Sequence, residues 1–188
     1  GIYGAGTSLD VARYEWSLIN FGNAPADQRT VERCNEILRF NPAHRFVIRV
    51  WPIMGIGHKE NRHQATFLDY WYKEGVRETV LERTRGQIRL IVDGLTHPES
   101  VVGITFLEEL PGHFSASPFG RWRAGDPLPW DMKRHEERIT AELGRVPDFG
   151  DPEVRLWWGK RYCEALDEIH RAMKGTIPGI KVIYWQAT

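Results

Sequence analysis

Two adjacent carboxylates, Glu108 and Glu109, stand at the end of the run Val101-Val102-Gly103-Ile104-Thr105-Phe106-Leu107. A β-branched run of this length reads as a buried strand, and Pro111-Gly112 closes it. Two carboxyl groups held together at the mouth of a buried strand repel each other, and burial raises the pKa of whichever loses its water. A raised carboxyl pKa suits a general acid that works near neutral pH. Strand alternation puts Glu109 on the face of Gly103 and Thr105, with Val102, Ile104 and Phe106 on the other. Glu108 turns to that second face unless the strand end is irregular. Glu109 is therefore the candidate proton donor, and Glu108 the group that orients it or holds a substrate hydroxyl. The competing reading makes both of them solvated loop carboxylates paired with Arg121 or Arg123.

Other polar and aromatic residues gather at the ends of predicted strands. Asn20 and Asn23 close the run Trp16-Ser17-Leu18-Ile19-Asn20-Phe21. In Arg45-Phe46-Val47-Ile48-Arg49-Val50-Trp51, the residues Val47, Arg49 and Trp51 alternate with Phe46, Ile48 and Val50, which puts Arg49 and Trp51 on one face. A buried arginine needs a carboxylate, and Glu109 is one partner open to it; a purely structural ion pair is the other. Trp51 and Trp185 can stack on the faces of flat ligands or simply fill core space. His113 follows the glutamate pair, and Gln186 follows Trp185 near the end of the chain. His58, His63 and His113 fall in loops, and three histidines near two carboxylates suggest a metal. Their spacing matches no standard metal motif, so no metal and no cofactor is assigned.

The elements that must position these groups alternate. Helical periodicity is predicted over residues 27–40, 65–93 with a break at Gly75, 131–143 and 153–174. Strands are predicted over 16–21, 45–53, 101–107 and 181–186, with residues 1–6 as the tail of a further one, about five in all. A short helical turn is expected at residues 7–12, capped by Thr7 or Ser8. An insert rich in Pro, Gly, Ser and aromatic residues occupies about 111–130.

Strands alternating with helices argue for one α/β domain with a parallel sheet over residues 1–188. Two layouts fit, an open doubly wound sheet and part of a (βα)8 barrel. Gly4-Ala5-Gly6 lacks the third glycine of a dinucleotide fingerprint, whereas polar residues at strand ends are where barrel sites are built. The expectation is a TIM-type parallel barrel with about the first five βα units present. A full barrel needs roughly 250 residues, so about three units are expected beyond Thr188, and open sheet edges would favour self-association.

The segment Gly103-Ile104-Thr105-Phe106-Leu107-Glu108-Glu109-Leu110-Pro111 resembles the end of strand four in the clan of retaining glycoside hydrolases with (βα)8 barrels. Pro111-Gly112-His113-Phe114, the insert after it and the helix over 157–174 are similar to the β-galactosidase-like members. The resemblance implies a glycosidase in which Glu109 is the acid/base and the nucleophilic glutamate lies on strand seven, beyond this sequence. Glu108 stands where the clan shows Asn. On this reading Asn20, Asn23, Arg49, Trp51, His113, Trp185 and Gln186 contact an oligosaccharide or glycoside. A non-catalytic carbohydrate-binding or interaction module on the same scaffold is the alternative, and a metal enzyme using Glu109 with loop histidines is a third.

Composition limits the field further. Of 188 residues, 41% are hydrophobic and 27% charged, which is ordinary usage for a packed domain. Lys plus Arg and Asp plus Glu each number 25, so the chain lacks the broad positive field that draws nucleic acid. No apolar run reaches the length of a membrane span. Cys34 and Cys163 are expected as small buried thiols and not as a disulfide. The opening Gly1-Ile2-Tyr3-Gly4 carries no signal-peptide features and reads as that of a mature product or an excerpt. Eight Trp, six Tyr and eight Phe supply a large aromatic core with a few rings to spare for a pocket.

Overall fold

A computed structural model describes residues 9–20, 27–50, 67–106, 127–128, 130–148 and 150–184. Four strands, β1 (Trp16–Asn20), β2 (Arg45–Val50), β3 (Val101–Phe106) and β4 (Lys181–Tyr184), form one parallel sheet in the order β1-β2-β3-β4. Each parallel step needs a crossover. These run through α1 (Gln28–Phe40), α2 (Phe67–Tyr72) with α3 (Val76–Gly94), and α4 (Trp130–Arg134), α5 (Glu136–Leu143) and α6 (Pro152–Thr176). A 3-10 turn, Leu9–Arg13, leads into β1, close to the predicted helical turn. The first predicted strand, residues 1–6, lies outside the described residues. The strand order never reverses among the described strands, so they contain no topological switch point of the doubly wound kind.

Helix boundaries follow local chemistry. Asp27 caps α1 by accepting from the Thr30 amide at 2.9 Å. Gly75 takes φ 74°, a left-handed conformation that suits glycine, and separates α2 from α3. The predicted helix over 131–143 starts one residue earlier, at Trp130, and breaks at His135 into α4 and α5. Asn35 of α1 ties down the end of α3, donating to the Gly94 carbonyl at 2.9 Å and accepting from the Thr96 amide at 2.8 Å. Val31 fills the space over Gly94, where a Cβ would lie 2.5 Å from its Cγ1.

The sheet has two unlike faces. Ile19, Phe46, Ile48, Val50 and Ile104 join Val31, Ile37, Val80, Ile88, Ile169 and Met173 of the helices in one apolar core. At roughly 1.5–3 kcal/mol per fully buried large aliphatic side chain, this face dominates the folding free energy. The opposite face carries Leu18, Val47, Arg49, Gly103 and Thr105, all buried yet outside that core. Gly103 packs closely there: a Cβ would sit 2.9 Å from Cδ1 of Ile183 on β4, so that side-chain tip would have to shift to admit a larger residue. Val102 departs from the expected alternation. The β2–β3 register passes from Phe46↔Val101 to Val47↔Gly103, which leaves Val102 as the extra residue of a bulge, 40% exposed and not turned into the helix layer. Cys34 is buried as expected, and burial pushes its thiol pKa up to about 12. Cys163 is exposed on α6 instead, because its position falls outside the stripe of Trp158, Ala165, Ile169 and Met173.

Candidate functional site

The carboxyl ends of the strands are where the sequence concentrates its candidate chemistry. Asn20, Arg49 and Thr105 lie side by side in register, Asn20↔Arg49 and Arg49↔Thr105, with Thr105↔Ile183 completing the row. Arg49 is only 8% exposed, and Thr105 is buried. The Thr105 hydroxyl oxygen has no hydrogen-bond partner among the described residues. A buried hydroxyl without a partner is uncommon and costs about 1–3 kcal/mol. This face is therefore polar where it approaches the strand ends, as strand alternation predicts for Arg49. Thr105 and Glu109 are separated by two alternation steps along the chain. Glu108, Glu109, Asn23, Trp51, His113, Trp185 and Gln186 lie outside the described residues, as do His58 and His63. Of the predicted site residues the structure thus brings together Asn20 and Arg49, with Thr105 added between them and β4.

A second polar assembly, absent from the sequence reading, surrounds α2. The helix α3 returns from the carboxyl end of β2 to the start of β3, so α2, just before it, belongs to the carboxyl end of the sheet. Every aromatic of Phe67-Leu68-Asp69-Tyr70-Trp71-Tyr72 is anchored. Phe67 meets Trp158 and Tyr162 edge-on, at centroid distances of 4.7 and 5.6 Å. The Tyr70 hydroxyl donates to Glu168 at 2.5 Å, and Arg77 grips both oxygens of the same carboxylate at 2.7 Å. The Trp71 indole donates to the Arg161 carbonyl at 3.0 Å. The Tyr72 hydroxyl donates to Glu142 at 2.5 Å, and Trp157 and Arg161 bind that carboxylate too. Asp69, fully buried, accepts from Arg134 at 2.8 Å and from His135 Nε2 at 2.9 Å.

The electrostatics follow from these bonds. Arg77 holds Glu168 below the ordinary glutamate range against the opposing effect of burial. Burial pushes Glu142 up, but the bonds from Tyr72, Trp157 and Arg161 together outweigh it and leave its pKa lowered. Tyr70 and Tyr72 are raised, first by burial and then by the glutamate each one faces. Both tyrosines are therefore neutral donors and both glutamates ionised acceptors at neutral pH. Asp69 accepts through both carboxylate oxygens, so the assembly clamps five helices and leaves no free base. One signal in the sequence points to it: Asp69 lies inside an aromatic run, and a carboxylate buried there must find cationic partners.

A third arrangement looks catalytic and is not. Ser17 Oγ lies 2.9 Å from His44 Nε2, and His44 Nδ1 lies 2.8 Å from the Tyr14 carbonyl. The carbonyl accepts, so Nδ1 carries the proton and Nε2 accepts from Ser17. Both residues are fully buried, at the amino end of the strands. Burial lowers the His44 pKa, although the bond to Tyr14 opposes it. A neutral histidine with both nitrogens satisfied and no opening to solvent holds β1 to β2 and does no acid–base work.

Among the described residues no group of three His, Cys, Asp or Glu side chains is placed to hold a metal ion. None of the described helices is long and apolar enough to cross a membrane. No protein-family model, curated protein or solved structure matches the chain.

Proposed function

We propose that the sheet is part of a (βα)8 barrel whose carboxyl rim acts on a glycoside, with Glu109 as general acid/base. Three features support the barrel. The strands follow chain order, the helix core lies on one face, and the opposite face carries the small and polar side chains suited to a barrel axis. The observation that carries the functional reading is the buried polar row of Arg49 and Thr105 on the face that strand alternation assigns to Glu109. An apolar core has no use for a guanidinium and a hydroxyl at that depth, whereas a sugar presents oxygens that both can bind.

On this reading Glu109 gives its proton to the glycosidic oxygen as the bond from the anomeric carbon to that oxygen breaks. Asn20, Asn23 and Arg49 hold sugar hydroxyls, and Trp51 and Trp185 stack on the rings. A retaining reaction also needs a nucleophilic carboxylate roughly 5–5.5 Å from the acid, so the assay belongs on the protein in the form its host makes. Glu109→Gln is expected to slow hydrolysis of aryl glycosides with poor leaving groups by at least about 10²-fold, and to affect good leaving groups far less. An unchanged rate on the poor leaving groups removes Glu109 from the mechanism. Saturable oligosaccharide binding by a wild type that turns over nothing would instead favour the non-catalytic binding module.

A further inference from the structure

On the outer side of the helix layer, α3 and α6 leave a groove of about 310 Å³ between them. Arg77, Arg85 and Arg89 line it from α3, at successive i+4 or i+8 positions of one helical row, and Arg171 lines it from α6. Glu168 is the carboxylate in the groove, and both its oxygens are taken by Arg77, one of them shared with the Tyr70 hydroxyl. Asp93 and Asp167 stand one helical turn from Arg89 and Arg171, yet among the described residues no carboxylate lies within 4 Å of Arg85, Arg89 or Arg171. Gly175 keeps the α6 wall open, since a Cβ there would meet nothing within 4 Å. Four guanidinium groups thus face one carboxylate in a chain of zero formal net charge. Like charges at i,i+4 destabilise a helix, so the Arg85–Arg89 pair works against folding unless an anion sits between them.

The geometry points to a binding site for the phosphate group of a small molecule in this groove, with Arg85, Arg89 and Arg171 as its ligands. A guanidinium is a planar fork that matches two oxygens of a phosphate at once, and three such forks along an open groove suit a tetrahedral dianion better than a flat carboxylate. The site is on the helix side and is independent of the glycosidase reading.

The test is calorimetric titration of the intact protein with pyrophosphate and, separately, with phenyl phosphate, at fixed ionic strength made up with chloride. Saturable one-to-one binding is expected, weakened at least about tenfold in the Arg85→Gln/Arg89→Gln double variant. Binding of pyrophosphate alone would assign the site to free inorganic phosphates, and binding of phenyl phosphate to phosphate esters. Failure of both to bind saturably, equal affinity in the variant, or an equal response to chloride overturns the proposal. The melting temperature of the unliganded variant is a second check. It is expected to be no lower than that of the wild type, since a repulsion is removed; a drop of several degrees would make the arginines structural and overturn the proposal as well.

Discussion

His44 and His135 each hold an oxygen 2.9 Å from Nε2, at opposite ends of the same sheet. At the amino end, His44 is neutral, bonded to a hydroxyl and a backbone carbonyl, and packed against Phe46 at a centroid distance of 4.8 Å. At the carboxyl end, His135 faces the Asp69 carboxyl group that a guanidinium also grips, beside the Tyr72 ring at 5.5 Å. The first arrangement needs no charge and tolerates none. The second consists of charges that would be costly to bury singly and that are stable only together. A Ser–His pair or an Asp–His pair is thus not evidence of catalysis by distance alone. What counts is whether a lone pair or a proton is left over and whether a substrate could reach it.

The contrast can be broken or sharpened by experiment. Asp69→Ala should have the largest effect, about 3 kcal/mol lost in urea unfolding, because it removes the buried carboxylate that Arg134 and His135 both bond. A loss below about 1 kcal/mol would mean that water replaces the carboxylate and that the clamp is not ionic in effect. Ser17→Ala at the other end should cost about 1.5 kcal/mol, the price of one buried acceptor left without a donor. It should leave any glycosidase activity unchanged, and a loss of activity would contradict the structural role given to the pair.

The two ends should also differ with pH. Folding lowers the His44 pKa below 6.5, so the unfolded chain takes up the proton first. The stability tied to neutral His44 is complete above pH 6.5 and falls as the pH drops below it, by at most about 1.4 kcal/mol per pH unit. Glu168 and Glu142 have pKa values lowered from 4.5, so their contribution is present above pH 4.5 and is lost only as the pH falls through their folded values. Urea unfolding between about pH 7.5 and 5.5 should therefore show a slope that His44→Gln removes. An identical slope in that variant would assign the effect to another group. Tyr72→Phe should be the mildest change, about 0.5–1 kcal/mol, because Glu142 keeps Trp157 and Arg161.

Much of the scaffold was readable from local pattern. The run Val101 to Phe106 is β-branched and apolar, and α6 repeats its buried residues every three or four positions, so each announces itself within a short window. Alternation alone misplaces Val102 because a bulge shifts it by one residue, and the β2 pairings that reveal the bulge, Phe46↔Val101 and Val47↔Gly103, join residues 55 and 56 positions apart in the chain. The α2 assembly was hidden for a related reason. The side-chain bonds that Asp69, Tyr70, Trp71 and Tyr72 make join residues separated by 65 to 98 positions, and Phe-Leu-Asp-Tyr-Trp-Tyr has no amphipathic period to draw attention to it. Arg49 needs only one alternation step, since it stands between the core residues Ile48 and Val50 and pairs in register with Thr105. Glu108 and Glu109 lie outside the described residues, so their placement rests on that same alternation carried past Phe106.

The length of α6 has a mechanical consequence. Its 25 residues span roughly 37 Å at 1.5 Å per residue, whereas the four residues of β4 cover roughly 13 Å. The helix is therefore far longer than the described part of the strand it feeds, and its leading half, with Trp157, Trp158 and Arg161, carries α2 and α5 like a bracket. At the far end of the same helix Lys174 bonds the Ile180 carbonyl at 2.7 Å just before β4 begins, so the element that carries α2 and α5 is also tied to the entry of the last strand.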